Sequence, residues 1–451
     1  MAELRRELGL RDLTLFAVTS IFGTRWIASA AHAGPGSITL WIGAALFFAL
    51  PAAIAVGTLT AKYPGAGGLY LWTRNDFGPW HGFLAFWIYW MGIACWFPGA
   101  AMFYMSSGAY GLDARYSWLA ESRTFVIGAS LVAVWIALGT NLVGLRVGKW
   151  TQNVGGIASW VLTAVLIVSA GLVWMRRGSA TELQLTPSAQ WDTVGMWATI
   201  AYALSGMELL GMMGAEVRDP ARTIRRAAGM AAFLTAGFYS LSTLAVLVLM
   251  RPEAVSEMSG LAHAGVAIGE VFGSAWIRPL ISVLILLSAI GQFGGLGTGV
   301  SRLPLAAGVD HLLPPAFARV HPRWATPYVS ILWLGGIASG LLVLMQIGDT
   351  MRAAYQALIS LMVIAGFAPY LYIFASTWKA GQRLAAMSGI SITLLALICC
   401  VIPTAEVTNV WLFEAKLLVG TLLVTGSAWL VYRKRGAWGD GQLSRRRGSS
   451  T

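Results

Sequence analysis

The chain has 451 residues and a formal net charge of +12. Apolar residues make up 57% of it and charged residues only 11%. A soluble protein of this size carries about a quarter charged residues, so the composition argues against a cytosolic enzyme, a nucleic-acid binder and a disordered chain. It favours one polytopic membrane domain: at roughly 20 apolar residues per span, there is room for about twelve spans and short loops.

The predicted elements in chain order are a segment 1–12, then apolar runs at 13–33, 36–60, 79–108, 124–143, 149–175, 191–217, 226–250, 273–301, 327–347, 352–376, 384–404 and 410–432, then a basic tail 433–451. Most of these runs are long enough for a transmembrane helix. The longest loops are 61–78, 251–272 and 302–326. The second holds Pro252, Glu253, Glu257, His263 and Glu270, and short interfacial helices are expected there. No loop is large enough for a soluble catalytic domain.

Basic residues set the orientation. With a cytoplasmic N-terminus and an even number of spans, 22 Lys and Arg fall in inner loops and tails, and 8 in outer loops. Both termini are therefore expected in the cytoplasm. The cluster Arg445-Arg446-Arg447 reads as a topology or lipid-surface tail rather than a nucleic-acid site. Ala28-Ser29-Ala30 resembles a signal-peptidase site, but the leader carries Glu3, Glu7 and Asp12 and the run contains Arg25. Cleavage would also break the charge alternation, so the first run is expected to be a span. Cys95, Cys399 and Cys400 lie in apolar runs without zinc-ligand spacing and read as small buried hydrophobes.

Two ionisable residues fall at membrane depth: Arg25 in the first span and Glu208 in the sixth. A charge at the bilayer centre costs about 2.5–3.5 kcal/mol on insertion scales and points to function. Each lies beside helix-weakening chemistry, in Ser20-Ile21-Phe22-Gly23-Thr24-Arg25 and in Tyr202-Ala203-Leu204-Ser205-Gly206-Met207-Glu208. Spans one and six correspond in a five-plus-five inverted repeat, and broken helices at corresponding positions mark transporter binding sites. Free N–H groups at such breaks donate to an anion, and unwound carbonyls accept from an ammonium. An amino acid zwitterion presents both. Gly23 and Gly206 also admit a reading as close helix contacts, and Arg25 as a structural cation held by carbonyls at a helix C-terminus.

Three motifs carry a family likeness. The first is Tyr63-Pro64-Gly65-Ala66-Gly67-Gly68-Leu69-Tyr70, with Phe77-Gly78-Pro79 and Gly82-Phe83 following. The second is Gly206-Met207-Glu208 with Glu216-Val217-Arg218-Asp219-Pro220-Ala221-Arg222. The third runs from Arg302 through Asp310, Pro314, Phe317 and Val320 to Pro327. Over roughly residues 10–330 the chain resembles the amino acid–polyamine–organocation transporter family, as an amino acid permease.

The resemblance implies an all-α membrane fold of the leucine-transporter type, with about twelve transmembrane helices. Its repeats would span about 13–175 and 191–376, with helices 1 and 6 broken and two extra helices over 384–432, all within one transporter domain, 13–432. It implies alternating access around a midplane site. Gly23, Thr24 and Arg25 fall where the family holds the substrate carboxylate, and Ser205 and Gly206 where it receives the amine. Tyr202 falls at a gating aromatic, and Ile93 and Phe97 at positions that line the pocket or pack within the bundle. Arg25 replaces a family glycine, Ser159 stands where many members carry a lysine, and Leu296 where an aromatic is common. From the lost and gained cations, Arg25 is expected to supply the charge of the missing lysine. Glu208 is either a proton carrier or a fixed partner.

The expected function is secondary transport of an amino acid or related amine, by exchange or by ion-coupled uptake. The partners are a small-molecule substrate and the lipid bilayer, with no nucleic acid. No cofactor, metal site or catalytic residue is expected, and coupling to protons or sodium stays open. A transport-inactive sensor or assembly subunit on the same scaffold, or a polyamine transporter, is the alternative. An intramembrane enzyme is disfavoured because His32, His263, His311 and His321 form no catalytic or metal-binding set. The run Gly294–Gly299 suits contacts within one subunit or between two, leaving the oligomeric state open.

Overall fold

A computed structural model describes residues 8–435 apart from 66, 144, 189–190, 215–216, 325 and 405. The expected segment 1–7, the tail beyond 435 with its arginine cluster, and the motif residues Ala66 and Glu216 lie outside the described residues. Among those described there is no strand, only one parallel bridge between Leu8 and Val217.

All twelve apolar runs are helical. The first is broken: α1 (Leu10–Ile21) and α2 (Thr24–His32) meet at a 48° bend. The second is a rod of α3 (Ser37–Ala44), a π-helical turn and α4 (Leu50–Lys62). A short α5 (Gly68–Phe77) occupies the predicted loop before α6 (Pro79–Leu112). The first half closes with α7 (Arg123–Leu142) and α8 (Leu145–Arg177). The sixth run is also broken, into α9 (Trp191–Ala203) and α10 (Glu208–Met212). Then follow α11 (Pro220–Leu249), the loop helix α12 (Gly260–Phe272), α13 (Ile277–Val309), α14 (Tyr328–Leu344), α15 (Met351–Lys379), α16 (Arg383–Cys399) and α17 (Val410–Arg433).

Among the described residues, eight helices are long and apolar enough to cross a membrane singly, and the α1–α2 pair adds a ninth. The shortfall from twelve has local causes. The break divides the sixth run into two short helices, while α14 and α16 are 17 residues each.

Local chemistry explains several boundaries. Asp219 caps α11 by accepting from the Arg222 amide, and Pro220 takes the first helical position, so the Asp-Pro of the second motif is a helix start. Ser122, Thr350 and Asn409 cap α7, α15 and α17 in the same way.

With 34 residues, α6 is about 51 Å long, well beyond a hydrocarbon core of about 30 Å. It is also the axis of the bundle: 89% of its apolar window is buried, against 11% for α17. Side chains such as Phe233, Leu384 and Trp411 are more than four-fifths exposed, which suits a surface solvated by lipid. The three cysteines are free and buried.

At one end of the bundle two motifs meet. Asp310 at the end of α13 accepts from the Tyr70 hydroxyl at 2.6 Å and from Arg74 at 2.7 Å, both on α5. Asp76 accepts from Tyr63 at 2.5 Å and from Lys62 at 3.0 Å. Burial pushes the Asp76 carboxyl up, but these hydrogen bonds outweigh it and hold it below its ordinary value.

Candidate functional site: two helix breaks around a buried cavity

The two breaks flank one cavity of about 40 Å³. Its walls are Ser20 and Ile21 from α1, Trp26 from α2, Tyr89, Ile93 and Trp96 from α6, Tyr202 and Ala203 from α9, Ser205, Gly206, Glu208 and Leu209 from the second break and α10, and Gln292 and Leu296 from α13. That volume holds about three waters and is far below the few hundred Å³ of a loaded ligand pocket. Loading a substrate therefore requires the walls to move. A larger cavity of about 960 Å³ lies elsewhere, in a groove bordered by α14 and α17. Its lining is mostly apolar, with Lys416, Lys434, Thr421, Thr425 and Ser427 as polar exceptions, and it includes neither helix break, so the smaller cavity is the better candidate.

The first break is closed by side chains. The Gly23 amide donates to the Tyr239 hydroxyl at 2.8 Å, and that hydroxyl donates to the Ile21 carbonyl at 2.9 Å. Gln292 Nε2 donates to the Phe22 carbonyl at 2.9 Å, while its Oε1 accepts from Tyr104 at 2.7 Å. Peptide groups that a helix end leaves open are thus satisfied internally. A Cβ at Gly23 would lie 2.6 Å from Gln292 Nε2, so a larger residue there would displace the Gln292 amide from the Phe22 carbonyl.

The second break depends on Gly206, whose φ of +114° is hostile to other residues. A Cβ there would also lie 2.8 Å from Ile21 Cγ1 across the cavity. Glu208, 1% exposed, begins α10. Its Oε1 accepts from Tyr89 at 2.7 Å, and its Oε2 accepts from the Tyr370 hydroxyl and, at 3.1 Å, from the Gly206 amide. Among the described residues it forms no ion pair. Two phenols and an amide hold this carboxyl, at a helix N-terminus that favours negative charge.

Arg25 is fully buried against two cavity-lining tryptophans and is not itself part of the cavity wall. Its guanidinium lies 3.9 Å from the Trp26 ring centre and 5.2 Å from that of Trp96. Such desolvated cation–π contacts contribute about 2 kcal/mol. Its Nη2 reaches Met362 Sδ at 3.0 Å, a weak acceptor. The alternative reading of Arg25 as a cation held by helix-end carbonyls finds no such contact among the described residues: Arg25 is the second residue of α2 and reaches Trp96 on α6 and Met362 on α15.

The other expected residues separate into two groups. Ile93, Tyr202, Ser205 and Gly206 line the cavity; Gly23, Thr24, Arg25, Phe97 and Ser159 do not. Thr24 donates to Tyr104 at 3.4 Å. Phe97 stacks on Phe293 at 5.5 Å. Ser159 turns its hydroxyl back to the Gly155 carbonyl of its own helix, and Arg25 makes none of the contacts above with α8. This geometry gives no support to Arg25 replacing a lysine at position 159. Leu296, singled out as a departure from the family, does line the cavity.

Tyr89, Tyr104, Tyr239, Gln292 and Tyr370 escaped the sequence reading. They are polar residues within apolar runs, and only the depth of Gln292 in the eighth run offered a signal.

The all-helical membrane fold agrees with the sequence comparison. The model of the amino acid permease family matches residues 8–430. The chain belongs to the amino acid permease family. An uncharacterized transporter of Mycobacterium tuberculosis is 31% identical over 351 residues, covering 75% of this chain and 74% of that protein. An uncharacterized transporter of Legionella pneumophila is 25% identical over 460 residues, covering 95% and 97%. The serine/threonine exchanger SteT of Bacillus subtilis is 27% identical over 340 residues, covering 73% and 74%. As a member of this family, the chain is a multi-pass membrane transporter with a small-molecule substrate.

Proposed function

We propose that this permease moves amino acids or related small amino compounds by secondary active transport with alternating access. The observation that carries the reading is the cavity bounded by both helix breaks, with the carboxyl of Glu208 in its wall. Glu208 and the carbonyls of the second break suit a substrate ammonium. Tyr202 and Trp26, whose rings meet edge to face at 6.0 Å, are the aromatic pair that must separate for loading. Both termini lie in the cytoplasm in this reading, the side favoured by the basic-residue bias. The serine/threonine exchanger among the relatives makes small neutral amino acids the first candidates.

The test is uptake of a radiolabelled mixture of L-amino acids into proteoliposomes, with and without internal unlabelled amino acids. Uptake that requires internal substrate supports exchange. Uptake driven by an imposed proton or sodium gradient supports ion coupling. No uptake under any condition, with ligand binding retained, would move the protein to the sensor reading. Glu208 is the candidate proton carrier: the pH profile of uptake should flatten in Glu208→Gln. A wild-type profile that is already flat and shared by the variant would refute proton coupling through this residue.

A further inference from the structure

We propose that the groove bordered by α14 and α17 binds an anionic glycerophospholipid of the inner leaflet, its acyl chains lying along the groove and its phosphate at Lys434. The groove encloses about 960 Å³, and α6 and α15 form its floor. Along α17 it is lined from Leu412 to Lys434, a rise of about 33 Å. That matches the roughly 30 Å of a hydrocarbon core, so the groove runs the height of the bilayer. The basic-residue bias puts its Lys434 end at the cytoplasmic face.

The polar groups of the lining differ along its length. At the outer end Lys416 is already answered: its Nζ donates to Asp349 at 3.1 Å and to the Met345 carbonyl at 2.7 Å. Between the ends, Thr425 donates to the Thr421 carbonyl and Ser427 to the Val424 carbonyl, both at 2.9 Å, and Ser427 accepts from Trp87 at 3.0 Å. Polar groups satisfied in this way leave a wall that hydrocarbon can cover. Lys434 is the exception. It is exposed, and its ammonium has no hydrogen bond or ion pair among the described residues. The neighbouring Arg433 and Arg435 are drawn onto the rings of Trp429 and Tyr432, at 4.4 and 3.7 Å, and do not line the groove. One free cation therefore closes an apolar groove at the face where a bilayer carries its anionic headgroups.

Charge favours a lipid over a second copy of this chain. A twofold axis along the membrane normal would set the copy's own Lys434 at the same depth, and the single acidic residue of α17, Glu414, lies at the opposite end. A phosphate supplies the missing anion and its chains cover the apolar floor. That floor has a second face. On α6, Trp90 and Cys95 line the groove while Tyr89 donates to Glu208; on α15, Ala365 and Ala368 line the groove while Tyr370 donates to Glu208. A lipid seated in the groove packs on the backs of the two helices that hold this carboxyl.

The experiment is native mass spectrometry of the purified full-length protein in detergent, titrated with dioleoyl phosphatidylglycerol or dioleoyl phosphatidylcholine. The first phosphatidylglycerol should bind about fivefold more tightly than phosphatidylcholine, the effect of one lysine at an anionic headgroup. In Lys434→Gln the two lipids should bind within about twofold of each other. Arg433→Gln should keep most of the preference. Ala368→Phe, which places a ring in the groove, should weaken both lipids severalfold. Glycerol phosphate, the headgroup without chains, should bind far more weakly than the lipid.

Equal binding of the two lipids by wild type would overturn the proposal, since lipid would then cover the groove without headgroup selection. A preference unchanged in Lys434→Gln, or lost to the same extent in Arg433→Gln, would overturn it as well, because the charge at the groove would not be the one that selects. Glycerol phosphate binding as tightly as the lipid would assign Lys434 to a free phosphate instead. Unchanged lipid affinity in a folded Ala368→Phe protein would place the chains elsewhere. Should Ala368→Phe fail to fold, Lys434→Gln decides, because that exposed side chain has no partner to lose.

Discussion

Tyr239→Phe removes a single oxygen from the molecule and tests how the first helix break is held. The ring itself has no reason to move: it stacks on Trp41 at 4.4 Å with a 4° interplanar angle and packs on Phe22 at 4.9 Å. What disappears is one acceptor for the Gly23 amide and one donor to the Ile21 carbonyl. Each buried polar group left unsatisfied costs about 1–3 kcal/mol, so the pair sets a range of about 2–6 kcal/mol. Water entering from the adjoining cavity and small shifts at the bend relieve part of this, and the expected loss is about 2–3 kcal/mol. The assay is reversible unfolding in mixed micelles, with an unchanged denaturant slope showing that compactness is retained. The second capping device, Gln292, acts on the adjacent carbonyl, so losses from Tyr239→Phe and Gln292→Leu should be non-additive. A Tyr239→Phe protein within about 0.5 kcal/mol of wild type, the usual scatter of a neutral substitution, would refute the claim that this hydroxyl holds the break.

The second break, the loop helix and the α5 contact yield three more expectations. Gly206→Ala should cost about 1–3 kcal/mol from backbone strain at its positive φ, plus the clash with Ile21. Adding Ile21→Ala should restore only the steric part, and full restoration in melting experiments would show that the backbone is not strained. His263 on α12 donates through Nδ1 to the Ala254 carbonyl and accepts from Ser259 through Nε2, both at 3.2 Å, and burial lowers its pKa. A base with a lowered folded pKa contributes stability above its unfolded value near 6.5, and that contribution falls as pH drops below this value. Melting temperature should therefore decline more between pH 7.5 and about 5.5 in wild type than in His263→Gln; parallel curves would exclude the effect. Asp310→Ala breaks the half-exposed contacts to Tyr70 and Arg74, so it should cost only about 0.5–1.5 kcal/mol. The Arg74 share should shrink in high salt, and a loss that ignores ionic strength would assign the effect to the Tyr70 hydrogen bond alone.

Much of this protein was legible in its sequence because the membrane makes hydrophobicity a one-dimensional signal. A span must be apolar and must satisfy its own backbone, so the twelve helical runs follow from composition along the chain. Glycine beside a buried charge likewise marked both breaks, at Gly23–Arg25 and at Gly206–Glu208, since each feature is costly in an uninterrupted span. Tertiary structure decided which side chains meet there. Tyr239, Gln292, Tyr89 and Tyr370 reach the breaks from α11, α13, α6 and α15, and no local pattern reports such a long-range hydrogen bond. The same holds for direction. The family resemblance put Arg25 at the carboxylate position and left Phe97 between pocket and packing; helix packing set Arg25 against Trp26 and Trp96, and Phe97 against Phe293. Depth in the membrane is written in the order of residues; the partner a buried polar group finds depends on how separate helices are rotated against one another.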